Sequence, residues 1–182
     1  MTYYHGTNVI IDKIDLNKSR LRTDFGKGFY FANVVETAQG WATRRAMISG
    51  GIPTILRYEI NEEIFILCGK RFSPAPSLEW LDFISLNRQR VQINTSEKEP
   101  RHEYNWVSGP IANDDIADVV DEYLAGEISV EIALHRARAL QQTYQLSLHT
   151  QTATDILNGE SILFKQFKNG RWTKDWLKRT TG

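Results

Sequence analysis

The sequence carries a single cysteine, Cys68, which excludes an intramolecular disulfide and a cysteine-based zinc cluster. Five prolines and twelve glycines in 182 residues are too few for a fibrous or low-complexity chain. No apolar run approaches the ~20 residues that a transmembrane helix needs, so no membrane partner is expected. Charge of one sign is missing as well: 22 basic side chains face 22 acidic ones. Bulk electrostatics therefore do not drive nucleic-acid binding, although a local basic patch is compatible with the balance. The opening Met1-Thr2-Tyr3-Tyr4-His5 lacks the basic-then-apolar layout of a secretory leader, so a cytoplasmic location is expected. The four histidines include no i, i+4 pair, and no metal is expected. A phosphate-binding GxxxxGK(S/T) loop is absent too, because Phe25-Gly26-Lys27-Gly28 has the wrong length and the wrong following residues.

What is present reads as one domain over residues 1–182, with 165–182 as a basic C-terminal extension. With 41% hydrophobic residues, a chain of this length buries about 70% of its unfolded surface. Thr2 to His5, Gly28 to Ala32, Thr54 to Ile60, Ile64 to Leu67, Tyr104 to Ile111, Gln145 to His149 and Ser161 to Phe167 read as strands. Asn61-Glu62-Glu63 suits a hairpin between two of them. Asn33, with Glu36 three residues on, predicts a capped helix with Val35, Ala38, Trp41, Ala42 and Met47 on its apolar stripe. Further helices are expected over Ser77 to Asn87 (core positions Leu78, Leu81, Ile84 and Leu86), Asp115 to Ala125, Ser129 to Gln141 and Ala153 to Leu157. Arg88 to Glu103 reads as a charged loop with an edge strand at Val91-Gln92-Ile93. Strands and helices mix without a regular βαβ rhythm, so the class is α+β.

Three short segments carry candidate chemistry: Tyr4-His5-Gly6-Thr7, Asp24-Phe25-Gly26-Lys27-Gly28-Phe29-Tyr30, and Gln145-Leu146-Ser147-Leu148-His149-Thr150. Together with Glu79 to Phe83, Asn87-Arg88 and Gly109 to Asp114, they make the chain resemble the ADP-ribosyltransferase superfamily. The resemblance is to its diphtheria-toxin-like and poly(ADP-ribose)-polymerase-like group, marked by His, Tyr and Glu on three separate strands. It is closest to an uncharacterised bacterial domain family of that superfamily and runs from residue 3 to about residue 157. It implies split mixed and antiparallel sheets with flanking helices, NAD as substrate, and transfer of a single ADP-ribose to a protein or nucleic acid. A toxin or effector setting, with a neutralising antitoxin partner, is implied in the same way.

Carried over residue by residue, the resemblance gives His5 the ribose, Gly6 the carboxamide of nicotinamide and Tyr30 the stacking, with Thr7 beside them. Asp24, Phe25 and Lys27 would shape the second wall, and Gly28 would be a further cofactor-binding residue. The chemistry suits such groups: an imidazole hydrogen-bonds a hydroxyl, and a glycine admits a close backbone approach. Cleavage of the nicotinamide–ribose bond passes through an oxocarbenium-like state, as glycoside cleavage does. The third position departs from the signature, because Gln145 stands where the group has Glu. An amide there cannot act as a base. His5, Gly6, Tyr30 and Gln145 are expected to meet in one cleft.

Glu97-Lys98-Glu99 has the E-x-E form of arginine-modifying transferases, a competing version of the same chemistry. Two readings from other classes stand beside the transferase. One is a weakened NAD- or ADP-ribose-binding module, motivated by Gln145; the other is a nucleic-acid-processing enzyme using His5 and His149. Plainer readings also apply. His102, His135 and His149 carry no motif of their own, and Cys68 reads as a small buried hydrophobe. Lys165, Lys168, Arg171, Lys174, Lys178 and Arg179 against Asp175 leave +5 at the C-terminus. Trp172 and Trp176 four apart suggest an amphipathic helix there, docked by its tryptophans, or a basic-aromatic surface for nucleic acid or an acidic partner.

Overall fold

The computed structural model describes residues 1–88, 102–140, 143–157 and 162–179. The strands are β1 (Thr2–Thr7), β2 (Phe29–Ala32), β3 (Thr54–Glu59), β4 (Gly69–Arg71), β5 (Trp106–Pro110), β6 (Tyr144–Leu148), β7 (Leu163–Lys168), β8 (Arg171–Trp172) and β9 (Leu177–Lys178). The helices are α1 (Val35–Ser49), α2 (Glu63–Ile66), α3 (Leu78–Arg88), α4 (Asp114–Leu124), α5 (Val130–Ala139) and α6 (Gln151–Asp155), with a 3₁₀ turn at Leu16–Lys18. The class is α+β. Among the described residues, no helix is long and apolar enough to cross a membrane.

The strands form one mixed sheet in the order β4-β5-β6-β2-β1-β3-β7-β8, with β9 also on β7. Among the described residues only β4 and β5 run parallel; the other pairs are antiparallel. Alternation along the strands sorts the core into two clusters. Phe29 and Phe31 of β2, Leu56 and Tyr58 of β3, and Leu146 and Leu148 of β6 share one cluster with Ile64 and Leu157. On the other side, Val107 of β5 meets Phe25, Phe72, Trp80, Leu81, Ile84, Ile116 and Ala133, so α3, α4 and α5 cover that half. Each such fully buried Leu, Ile or Phe contributes about 1.5–3 kcal/mol.

The sheet has one weak seam. β1 pairs with β3 at six positions and β2 with β6 at four, but β1 and β2 are joined by the single pair Tyr4↔Ala32. Beyond it, His5 to Thr7 and Phe29 to Phe31 have no residue pairs across the seam.

Several local expectations are overturned. Asn33 does not cap α1: the cap position is Val34, without a side-chain bond. The Asn33 side chain instead accepts from the Tyr144 amide and so ties the helix entry to β6. Ile64 to Leu67 is not a hairpin strand but the helical turn α2, followed by β4, because β5 offers Gly69–Arg71 a parallel edge. Met47, Leu78 and Leu86 are exposed rather than core, whereas Trp80 is fully buried. Cys68 is exposed, not buried. The final strand is present as β7, but the expected C-terminal helix after it is replaced by β8 and β9. The expected strand at Val91-Gln92-Ile93, the Glu97-Lys98-Glu99 motif and Ser161 lie outside the described residues.

Candidate functional site: a loop held by histidines beside the seam

The segment from Thr23 to Tyr30 runs into β2 on one lip of the seam. Gly26, at φ +79°, supplies the left-handed turn that a side chain would strain. Three histidines, from three parts of the chain, close on its carbonyl groups. His5 Nδ1 lies 2.7 Å from the Tyr30 carbonyl. His102 Nε2 lies 2.8 Å from that of Phe25, and His149 Nδ1 lies 2.8 Å from that of Lys27. A carbonyl only accepts, so each of these nitrogens carries the proton and the second ring nitrogen keeps a lone pair.

The second nitrogens differ in what they meet. The Ser147 hydroxyl donates to His149 Nε2 at 2.8 Å, and the Tyr104 amide donates to His102 Nδ1 at 3.2 Å. His5 Nε2 has no hydrogen-bond partner among the described residues, and the ring lies against Phe29 and Phe31. Burial lowers all three imidazoles below their ordinary range: His5 to about 4, His149 to about 3, with His102 shifted the same way. Arg45 adds to the effect on His5 and His102 to that on His149. At neutral pH all three rings are uncharged.

Tyr30 closes the loop from inside. Its hydroxyl donates to the Gly26 carbonyl at 2.6 Å and accepts from the Phe25 amide at 3.0 Å, with Thr23 Oγ1 at 2.8 Å. Burial raises the phenol far above its usual range, so it stays protonated. The ring packs on Phe25 and edge-on to His149. It is a fixed strut rather than a ring free to swing onto a ligand. Gly28 has a packing reason too: a Cβ there would sit 2.6 Å from His149 Nδ1.

Asp24 anchors the start of the loop. Arg88 grips its Oδ1 at 2.6 and 3.0 Å, the Ala112 amide donates to Oδ2 at 2.9 Å, and Gln145 Nε2 donates to Oδ2 at 2.6 Å. This corrects the expectation for Gln145. The residue is only 2% exposed and its amide is turned to Asp24 and the Pro110 carbonyl, not into an open cleft. The cause is charge: a buried carboxylate draws every available donor.

The predicted residues are therefore gathered only in part. His5 and Tyr30 meet at the seam through a side-chain-to-backbone bond, with Gly6 and Thr7 next along the lip. Their rings leave opposite faces: His5 stacks on Phe29 at 4.0 Å, whereas Tyr30 points toward Phe25. Gly6 has no room for a side chain, since a Cβ would lie 2.2 Å from the Ala38 carbonyl of α1. His5 and His149 fall on opposite faces as well and form no catalytic pair. His135 is exposed on α5, away from this network. Sequence reasoning gave His102 no role and gave His149 one only beside His5; their grip on the loop went unseen because their partners are backbone carbonyls that no motif marks.

A family model described as "Protein of unknown function (DUF3990)" matches residues 1–158. The chain belongs to that family. No curated protein and no solved structure matches it. The matched residues include the seam and the whole histidine-held loop, whereas β7, β8 and β9 lie beyond them.

Proposed function

We propose that this DUF3990 member binds NAD at the seam between β1 and β2 and transfers its ADP-ribose to a macromolecular acceptor. One observation carries the reading: a neutral imidazole stands where two neighbouring strands part, fixed through Nδ1 to the Tyr30 carbonyl. Its Nε2 is thereby aimed as an acceptor for a sugar hydroxyl. Gly6 pairs with Ile55 of β3 but has no residue opposite it on the β2 side, where a carboxamide would bond, and the clamped loop from Asp24 to Tyr30 would form a preorganised second wall. The strands form one continuous sheet rather than the two expected, thinned to a single residue pair at this seam, so the reading rests on His5 and its surroundings rather than on the sheet topology.

In the transfer, the bond from the anomeric carbon to the nicotinamide nitrogen breaks and its electron pair leaves with neutral nicotinamide. The acceptor's nucleophile bonds to the same carbon and gives up its proton to solvent water, since Gln145 cannot take it. Gln145 supplies no negative charge to the cation; it acts through Asp24, which it holds in place. That observation favours a second reading, an NAD- or ADP-ribose-binding module without turnover.

The test is thermal shift with NAD, followed by labelled NAD incubated with a cell lysate. NAD should raise the melting temperature, by about 2.7 kcal/mol of stabilisation at a hundredfold excess over Kd. His5→Ala should remove most of the shift. Label transferred to macromolecules supports the transferase, and binding without turnover supports the module. No shift, or one that His5→Ala leaves intact, defeats the assignment of this site.

A further inference from the structure

We propose that the C-terminal hairpin edge, β7 to β9, is a binding surface for single-stranded nucleic acid, independent of the activity proposed above. The chain is neutral overall, yet residues 165–182 hold six cations against Asp175. Arg179 pairs with Asp12, and the remaining positive charge is concentrated at one edge of the sheet, outside the residues matched to the family.

The geometry makes this more than a charged tail. Asn169 and Gly170, at φ +53° and +76°, form a tight turn between β7 and β8. The turn sets Lys168 directly opposite Arg171, and Phe167 opposite Trp172. Like charges facing each other across a ladder repel, and neither cation has a carboxylate partner among the described residues. An anion between them would turn that repulsion into attraction.

The next rung leaves the opposite face of the ladder: Phe167 and Trp172 meet edge to face at 5.5 Å there, and Trp172 reaches the groove at the hairpin tip whereas Phe167 does not line it. Lys168, Arg171, Trp172, Lys174 and Leu177 line an open groove of about 490 Å³, which Asp175 also borders. Trp176 is already engaged, stacked on Tyr4 with Lys165 over its ring. Phosphates for the cations and an unstacked base for Trp172 are what a single strand offers. A duplex hides its base faces, and an acidic peptide offers charge without rings.

The experiment is fluorescence anisotropy of the intact chain with short labelled single strands of one sequence, as DNA and as RNA. Three phosphate contacts, from Lys168, Arg171 and Lys174, predict a slope of log affinity on log salt near about −2. Binding should then weaken roughly twentyfold between about 50 and 200 mM salt. The double variant Lys168→Gln/Arg171→Gln, which leaves the turn intact, should cut that slope by about two thirds. Trp172→Ala should weaken binding about tenfold or more at fixed salt. Tighter binding of either strand supports the proposal and names the sugar. Overturning results are salt-independent binding, variants that bind like the parent, or an acidic peptide of equal charge that competes as well as the strand. NAD binding at the seam should be unchanged in the double variant, since β1, β3 and β7 lie between β2 and β8.

Discussion

Replacing Gln145 by glutamate tests the Asp24 anchor directly. At a ligand-facing position the change would add a useful negative charge. Here it sets a carboxylate against the Asp24 oxygen that now accepts the Gln145 amide at 2.6 Å. Two ionised groups at that separation repel by about 6 kcal/mol, taking an effective dielectric near 20. Arg88 offers limited relief because it is engaged on Oδ1, the other oxygen. Protonating the introduced acid is the cheaper solution. From an ordinary glutamate value near 4.3 it costs about 3.7 kcal/mol at pH 7 and only about 0.6 kcal/mol at pH 4.5.

The introduced group has a folded-state pKa above its unfolded value, so its stability penalty grows as pH rises. Gln145→Glu should therefore melt roughly 7–15 °C below the parent at pH 7 and within a few degrees of it at pH 4.5. Paired thermal or urea denaturation of parent and variant at both values reads this out, and the difference cancels titrations the two share. A deficit of equal size at both pH values, or no deficit at pH 7, would refute the buried amide–carboxylate contact.

Two further predictions follow from the same frame. Gly6→Ala should destabilise by about 1–3 kcal/mol or more, because its Cβ meets the Ala38 carbonyl at 2.2 Å and the Ala42 amide at 2.9 Å; urea midpoints check it, and an unchanged midpoint would mean that α1 does not seat on β1. Acid should loosen the loop: with His149 held near 3 in the fold, the unfolded chain takes up the proton first as pH falls below 6.5. About 2 kcal/mol should be lost between pH 7 and pH 5 on this account, and His149→Phe should flatten that part of the profile in a urea titration across pH.

The sequence by itself determined whatever is written in short-range chemistry. Ser129 caps α5 and Asn113 caps α4 because a small polar side chain reaches an amide three residues on. Alternating apolar residues fixed β6, and the Gly-rich approach to an aromatic strand announced β2. Where local chemistry permitted two answers, tertiary structure chose. Trp172 and Trp176, four apart, share a face on a helix and equally on a strand, so their spacing cannot separate the two. The Asn169-Gly170 turn was the signal for the hairpin, and the open edge of β3, which takes β7, gave it something to extend. The candidate site divides in the same way. His5 and Tyr30 were marked by neighbouring glycines. The roles of His102, His149 and Gln145 were set by groups 77, 122 and 121 positions away, because buried donors and carbonyls bond whatever the fold brings within reach.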